Sequence, residues 1–227
     1  MLLLLLGAFV ALSPLGASAH ARPMGSRMRY LALGDSYTIG EAVPDASRWP
    51  RQLAAALREK GIALDDPQII ARTGWTTDEL DAAIDAAHPH GTYAFVTLLI
   101  GVNNQYRGRD RAEYRAQFRH LLGRAIHFAG GHAEHVLVVS IPDWGVTAFA
   151  EGRDRTGIAH EIDAFNAIAR EETAQAGARF ADITPVSRAL GASPDALAAD
   201  GLHPSPQAYT AWLSVITPAA MAILAHP

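Results

Sequence analysis

The sequence alternates short apolar segments with longer segments of helical periodicity, and this alternation constrains the fold more than any other feature. Residues 93–100 form an almost continuous apolar run, which is typical of a strand buried on both faces of a sheet. Alternation of strands and helices predicts the α/β class, with a parallel sheet of about five strands covered by helices on both faces. The predicted strands are residues 29–33, 68–71, 93–100, 136–140 and 179–182, and the predicted helices are residues 49–60, 77–87, 110–129, 158–176 and a last helix after Ser205.

Two of these helices begin with recognisable capping residues. Thr76 and Glu79 have the spacing of a capping box, in which each side chain accepts a backbone hydrogen bond from the other residue. Ser205 is a favoured N-cap residue, and Pro206 after it suits the first helical position. Both signals mark the point at which a loop gives way to a helix.

Chain length and charge limit the class of protein. A chain of 227 residues fits one domain and can bury a core without disulfides or a structural metal. The formal net charge is −4, so nucleic acid, which needs a concentrated basic face, is not an expected partner. The absence of cysteine excludes a cysteine nucleophile, a thiolate metal site and a lipid-modified cysteine.

One segment is rich in arginine but interspersed with acids, and we interpret it as a solvated helix face. Its arginines are Arg107, Arg109, Arg111, Arg115 and Arg119.

The N-terminus has the composition of a signal peptide. Residues 1–12 are almost wholly apolar, a proline and a glycine then interrupt the run, and Ala17-Ser18-Ala19 matches a small-residue cleavage site. The apolar run is too short to span a bilayer comfortably, so no stable membrane insertion is expected.

These features predict three parts of the chain. We interpret residues 1–19 as a removed signal peptide, residues 20–27 as an N-terminal extension and residues 28–227 as the folded domain, which predicts a periplasmic or secreted protein. No Lys or Arg precedes the apolar run, however. The alternative is a true start at Met24 or Met28, which predicts a cytoplasmic protein.

A candidate nucleophile follows the first predicted strand. The segment Gly34-Asp35-Ser36-Tyr37 lies where parallel sheets carry their sites, at the carboxyl end of a strand. A serine attacks a carbonyl when a tight turn exposes it, a base is in reach and donors face the oxyanion. Gly34 allows such a turn, so Ser36 is the candidate; the alternative is that Ser36 only caps the following segment.

A candidate base lies just before the last predicted helix, in Asp200-Gly201-Leu202-His203. A histidine base needs a second group that orients the ring and fixes its tautomer. The three-residue spacing allows Asp200 and His203 to meet on one turn. The alternative is a loop histidine beside a capping aspartate.

Two further segments can supply donors to an oxyanion. Asn103 follows the buried strand at residues 93–100, and its side-chain amide is a neutral donor. Gly74 follows the second predicted strand and can present its backbone N–H to the same oxyanion. The alternatives are that the asparagines are turn residues, above all Asn104, and that Gly74 belongs to an ordinary strand-to-helix turn.

Together, Ser36, Gly74, Asn103 and His203 resemble, in the same order, the residues that name the SGNH subset of the GDSL hydrolase family. The resemblance covers nearly the whole predicted domain. The chain departs from the family where its third block usually reads G-x-N-D, because Asn104 occupies the last position. The sequence contains no G-x-S-x-G, the nucleophile motif of ordinary α/β-hydrolases.

The resemblance implies a flavodoxin-like, three-layer α/β/α sandwich with a Ser36–His203–Asp200 triad. It also implies an oxyanion hole made by the N–H groups of Ser36 and Gly74 and the side chain of Asn103. In the implied mechanism His203 takes the serine proton as Ser36 attacks the acyl carbonyl, and water then releases the acid from an acyl-enzyme. No metal or organic cofactor is needed.

The expected reaction is hydrolysis of carboxylic esters of short to medium acyl groups, because the chain lacks long insertions that would build a deep site. The expected substrate is a small-molecule or glycan ester, and the oligomeric state does not follow from the sequence. A carbohydrate acetylesterase and an acyltransferase would use the same triad. A non-catalytic binding module is a further alternative, although such a module has usually lost a triad residue.

Other candidate residues are less specific. His132 and His135 form a possible ligand pair in a glycine-flanked loop, but no third ligand is apparent, so no metal site is expected. Trp75 and Trp144 are candidates for the walls of a substrate pocket, with burial in the core as the alternative.

Overall fold

A computed structural model describes residues 27–191 and 193–225. The predicted signal peptide at residues 1–19 and all but the last residue of the predicted extension at residues 20–27 lie outside the described residues. The boundaries proposed from the sequence for these segments therefore stay predictions.

Five parallel strands form a single sheet in the order β2-β1-β3-β4-β5. This is the flavodoxin-like strand order, and it confirms the predicted fold class. Every residue of β1 and β3 is buried, because these neighbouring central strands carry helices on both faces. The strands are β1 (Tyr30–Gly34), β2 (Gln68–Ala71), β3 (Phe95–Leu99), β4 (Val136–Val139) and β5 (Arg179–Ala181).

Helices cover the sheet on two sides. The helices are α1 (Ser36–Ile39), α2 (Trp49–Glu59), α3 (Thr77–Ala87), α4 (Val102–Tyr106), α5 (Arg111–Phe128), α6 (Arg155–Gln175), α7 (Thr184–Leu190) and α8 (Pro206–Leu224). Helices α2, α7 and α8 pack together on one face, and α3, α5 and α6 pack on the other. The three-layer sandwich is confirmed.

The predicted helix starts are confirmed at both capped positions. Thr76 N–H donates to Glu79 Oε2 at 2.8 Å, which is half of the capping box. Ser205 Oγ accepts from Ala208 N–H at 3.2 Å at the start of α8. Helix α6 begins three residues earlier than predicted because Asp154 caps it.

The last helix, α8, is by length and composition apolar enough to cross a membrane. Its apolar residues have partners within the fold, since Trp212, Ile216 and Ala220 are fully buried in the core. The helix packs against α2 and β5, and Gln52 of α2 donates to the carbonyl of Pro206 at 3.1 Å. Packing in the core therefore explains why α8 is so apolar.

The connections from β1 and β3 run to opposite sides, and this switch point opens a crevice at their carboxyl ends. The register pairs Gly34 with Leu99, so both strands end at the same level. A side chain at Gly34 would overlap the Thr38 hydroxyl and the Leu99 carbonyl, which explains the need for glycine there. The short helices α1 and α4, which have too few residues to show periodicity, start directly after these strands.

Candidate functional site

Ser36 is the first residue of α1, directly beyond β1. Asp35 is the N-cap residue, and its Oδ1 accepts from Tyr37 N–H at 3.0 Å. The side chain of Ser36 lines a cavity of about 170 Å³, although only 4% of the residue is exposed. The tight turn that the sequence predicts thus places the hydroxyl at the floor of a crevice.

His203 and Asp200 meet as their spacing predicts. Nδ1 of His203 lies 2.6 Å from Asp200 Oδ2, and Asp200 Oδ1 accepts from the N–H groups of Leu202 and His203 at 3.0 and 2.9 Å. Burial raises the pKa of Asp200, but the hydrogen bonds from His203 and the backbone outweigh it and hold that pKa below its ordinary value. An ionised Asp200 holds Nδ1 of the histidine ring, and no partner for Nε2 is found among the residues that the structure describes.

The cavity brings candidate residues from separate segments of the chain together. Ser36, Gly74, Asn103 and His203 all line it, and Asp200 stands behind the histidine ring. Within the described chain, no hydrogen bond joins the Ser36 hydroxyl to His203. Such bonds are often long before substrate binds. A hydroxyl, an oriented imidazole and amide donors around one cavity are the parts that nucleophilic attack on an acyl carbon requires.

The donor loop, residues 73–75, lies between β2 and α3. Gly74 has a φ of +87°, a conformation that favours glycine. The carbonyl of Gly74 accepts from Arg107 at 2.5 Å, and the carbonyl of Trp75 accepts from Asn103 Nδ2 at 2.9 Å. The Thr73 hydroxyl donates to the carboxylate of Glu41, in the loop after α1. Every residue of the donor loop is therefore tied to a neighbouring element.

Asn104 is not a turn residue, which was the alternative considered from the sequence. It lies in α4, fully buried, and bonds twice to Thr77 at the start of α3. The departure from the family pattern at this position therefore bears on the packing of α4 against α3, away from the cavity.

An aromatic cluster forms one wall of the cavity. The rings of Tyr106, Trp144 and Phe149 lie with centroids 5.4 to 6.3 Å apart. Trp144 Nε1 donates to Gln105 Oε1 at 2.8 Å, and Gln105 Nε2 donates to Glu161 Oε2 at 2.7 Å. These bonds fix the Trp144 ring. The placement agrees with Trp144 as a wall, whereas Trp75 packs against the core and does not line this cavity.

The interpretation of the arginine cluster as a solvated helix face is wrong in part. Arg107 reaches the donor loop, and Arg115 and Arg119 each bond to Glu172 at 2.6 Å. The Glu172 side chain is only 1% exposed, so these two arginines neutralise a buried carboxylate. Glu172 is more than fifty residues from either arginine in the sequence, so the local sequence around the cluster does not indicate this partner.

Several residues of the site were not identified from the sequence. Gln105 and Arg107 follow Asn103 within one helical turn, and that spacing is the only sequence signal that could have identified them. Glu41, Phe149 and Glu161 carry no local signal. They reach the site through tertiary contacts alone.

His132 and His135 lie outside the cavity lining. The rings of His132 and His135 stack at 5.0 Å, and His132 Nδ1 lies 3.1 Å from Glu134. Among residues 27–191 and 193–225, no group of three or more His, Asp or Glu side chains is arranged to hold a metal ion.

Comparison with known proteins identifies relatives of the fold. The model of the GDSL-like lipase/acylhydrolase family matches residues 32–211. No curated protein sequence matches the chain. The crystal structure of TesA is similar with a TM-score of 0.68 at 21% identity, covering 87% of this chain and 100% of that one. The psychrotrophic esterase EstA from Pseudoalteromonas sp. has a TM-score of 0.63 at 14% identity, covering 88% and 100%. Axe2, an acetylxylan esterase from Geobacillus stearothermophilus, has a TM-score of 0.60 at 18% identity, covering 88% and 95%.

At these identities the solved structures establish the fold, whereas the family model spans most of the chain. The matched region contains the carboxyl ends of all five strands and the loop that precedes α8. The chain belongs to the GDSL-like lipase/acylhydrolase family and is an ester-hydrolysing enzyme.

Proposed function

We propose that this enzyme hydrolyses carboxylic esters of short to medium acyl groups through an acyl-enzyme on Ser36. The observation that carries the proposal is the convergence of Ser36, Gly74, Asn103 and His203 on one cavity, with Asp200 bonded to the far side of the histidine ring. These groups come from four separate segments of the chain: the start of α1, the loop before α3, the start of α4 and the loop before α8. Their meeting at one point is what a nucleophile, a base and an oxyanion hole require.

In the first half-reaction Ser36 Oγ attacks the acyl carbonyl and His203 Nε2 takes its proton. The ionised carboxylate of Asp200 stabilises the imidazolium that forms. The N–H groups of Ser36 and Gly74 and the Asn103 amide donate to the oxyanion. His203 then protonates the departing alkoxide, so that the alcohol leaves and the acyl group stays on Ser36.

In the second half-reaction water replaces the alcohol. His203 removes a proton from the water as its oxygen attacks the acyl-enzyme, and a second tetrahedral intermediate uses the same donors. Collapse returns the proton to Ser36 Oγ and releases the carboxylic acid. The cycle uses no cofactor.

The size and lining of the cavity support a short acyl group. The cavity holds about 170 Å³, and its apolar lining comes from Val102, Leu202 and the rings of Tyr106, Trp144 and Phe149. An alkyl chain of a few carbons gains from burial against this wall, whereas a long chain would extend beyond it into water. A kcat/KM on long-chain esters equal to that on acetate or butyrate esters would contradict this part of the proposal.

The decisive experiment measures hydrolysis of p-nitrophenyl acetate and butyrate by the wild type and by Ser36→Ala. We expect turnover to vanish in Ser36→Ala and to stay unchanged in Ser214→Ala, whose exposed hydroxyl donates to the carbonyl of Ala211 in its own helix. Turnover that survives in Ser36→Ala would remove the serine as nucleophile. Release of an ester in place of acid, when an alcohol is added, would identify an acyltransferase.

A second candidate is deacetylation of a carbohydrate. Tyr106 and Phe149 are 48% and 38% exposed at the mouth of the cavity, and aromatic faces of this kind pack against sugar rings. The fold is also similar to that of Axe2, an acetylxylan esterase. Acetate release from acetylated xylo-oligosaccharides with a kcat/KM above that for p-nitrophenyl acetate would favour this substrate class.

We also propose that the enzyme is exported. The support is the sequence of residues 1–19, whose small-residue site at Ala17 to Ala19 predicts a mature protein that begins at His20. N-terminal sequencing of the protein from the extracytoplasmic fraction tests this. Intact protein in the cytoplasm, starting at Met24 or Met28, would contradict it.

A further inference from the structure

We propose that Arg107 is a positioning residue that holds the oxyanion hole in its working geometry. The proposal rests on the function proposed above, and the experiment below separates the two. Arg107 donates to the carbonyl of Gly74 across a gap of 33 residues in sequence, at 2.5 Å. Its guanidinium does not line the cavity that holds Ser36, so it acts through the loop and not on the substrate.

The donor loop needs external support because of its own conformation. Gly74 has the broadest backbone freedom of any residue type, and its φ is +87°. Among the described residues, the N–H of Gly74 donates to no other group, which leaves it free for an oxyanion. A free N–H on a glycine is a useful donor only if the planar peptide that carries it cannot rotate.

Arg107 and Asn103 restrain the two peptides that follow this N–H. Arg107 binds the Gly74 carbonyl, and Asn103 Nδ2 binds the Trp75 carbonyl at 2.9 Å. Both side chains come from α4 and the residue that ends it, one helical turn apart. The same bond also orients the Asn103 amide, whose second N–H stays available for the oxyanion. The two donors are therefore fixed relative to one another by one short helix.

The guanidinium also binds a third element. A further nitrogen of Arg107 lies 3.4 Å from Glu79, the capping-box glutamate in the first turn of α3. A planar guanidinium can hold a carbonyl and a carboxylate at once, whereas the ammonium of lysine offers a single charged centre. Arg107 therefore joins the donor loop both to α4 and to the first turn of α3.

The test compares Arg107→Gln with Arg109→Gln, a matched control. Arg109 lies two residues away, and among the described residues its guanidinium makes only surface ion pairs, to Asp78 and Glu113. With p-nitrophenyl acetate we expect Arg107→Gln to lower kcat by about 10- to 100-fold, the scale of a misplaced catalytic group. KM should change by less than about twofold, because the ground-state ester uses the oxyanion donors weakly. Arg109→Gln should match the wild type.

A tetrahedral probe distinguishes positioning from a general loss of structure. Phenylboronic acid adds reversibly to the serine oxygen and places a boron-bound oxygen in the oxyanion hole. Its inhibition constant should rise in Arg107→Gln by the same factor by which kcat/KM falls. Arg107→Lys should recover part of the activity, since one ammonium can still reach the Gly74 carbonyl.

Three results would overturn the inference. For Arg107→Gln these are a kcat within threefold of the wild type, a fall in kcat/KM that comes entirely from a higher KM, or an unchanged affinity for the boronate. If Arg107→Gln does not fold, the same three criteria apply to Arg107→Met, which keeps a long side chain but cannot donate to the Gly74 carbonyl. Ser36→Ala is measured in parallel: turnover that survives there contradicts the proposed function itself, whereas an inactive Ser36→Ala with a fully active Arg107→Gln contradicts only the role of Arg107.

Discussion

Asn104 holds Thr77 by two hydrogen bonds: its Oδ1 accepts from the Thr77 N–H at 3.1 Å, and its Nδ2 donates to the Thr77 hydroxyl at 2.7 Å. The Thr77 hydroxyl in turn donates to Gln117 of α5. Because Asn104 follows Asn103, this pair fixes the start of α4 against the first residue of α3. The neighbouring donor loop lies between the same two helices.

Replacement of Asn104 should destabilise the fold in a graded way. Asn104→Ala leaves the buried Thr77 N–H without an acceptor, and we expect a loss of about 1–3 kcal/mol in the free energy of unfolding. Asn104→Asp keeps that acceptor, and at mildly acid pH its buried carboxyl is protonated and can still donate to the Thr77 hydroxyl. Under that condition we expect a smaller loss, about 1 kcal/mol. Urea unfolding measures both; an Asn104→Asp variant less stable than Asn104→Ala would contradict this account.

Asp200 should matter for kcat more than for folding. Asp200→Asn keeps an oxygen for the N–H groups of Leu202 and His203 but can bond to Nδ1 only in the wrong histidine tautomer. We expect kcat with p-nitrophenyl acetate to fall by about 10³- to 10⁴-fold. Asp195→Asn, an exposed carboxylate in the same segment, is the control. A fall in kcat of less than tenfold would mean that Asp200 only caps its loop and does not orient His203 for catalysis.

The sequence predicts the sheet and the long helices well because their signals are local. Burial on both faces makes β3 an apolar run, and α3 and α8 start with capping residues whose bonds form within one turn. The helices α1, α4 and α7 were not predicted, because helices of four to seven residues show too little periodicity.

The residues of the site likewise fall into those that a local motif predicts and those that depend on contacts formed by folding. Ser36 and His203 lie in recognisable motifs, and the structure brings them to one cavity, while their roles stay predictions. The sequence pattern places Arg107 on a solvated helix face, because its partner, the Gly74 carbonyl, is a backbone atom that no side-chain pattern encodes. Trp144 remained undecided between wall and core for a related reason: its ring is fixed by Gln105, a contact that exists only after folding.

Phe149 should limit the length of the acyl group. Its ring is partly exposed, so Phe149→Ala removes one wall of the cavity at little cost in stability. We expect the ratio of kcat/KM for hexanoate over acetate esters to rise by about fourfold for each newly buried methylene, the equivalent of about 0.8 kcal/mol. Phe180→Ala, which removes a partly buried ring on β5, is the control. An unchanged ratio in Phe149→Ala would place the acyl group elsewhere.

Asp35 should make stability depend on pH near neutrality. Burial raises the pKa of Asp35 to about 7, although a hydrogen bond from the Tyr37 N–H lowers it in part. Its Oδ2 is buried without a partner among the described residues. The folded state therefore binds a proton that the unfolded state, with an ordinary pKa of 3.8, releases. Because the folded state binds more protons than the unfolded state between these two pKa values, the free energy of unfolding should fall as pH rises from about 4 to 7 and then level off.

The comparison of wild type with Asp35→Asn isolates this effect. Asparagine keeps the acceptor for Tyr37 N–H but cannot ionise. The free energy of unfolding of Asp35→Asn should therefore not show this decrease between pH 4 and pH 7. The whole pKa shift of about three units corresponds to roughly 4 kcal/mol of stability, and about two units of it, or roughly 3 kcal/mol, are expected between pH 5 and pH 8. Asp200 and Glu172 have lowered pKa values, and their contributions are lost only at acid pH, outside this window. Urea unfolding of both proteins at several pH values measures the difference, and parallel curves would show that Asp35 is ionised throughout.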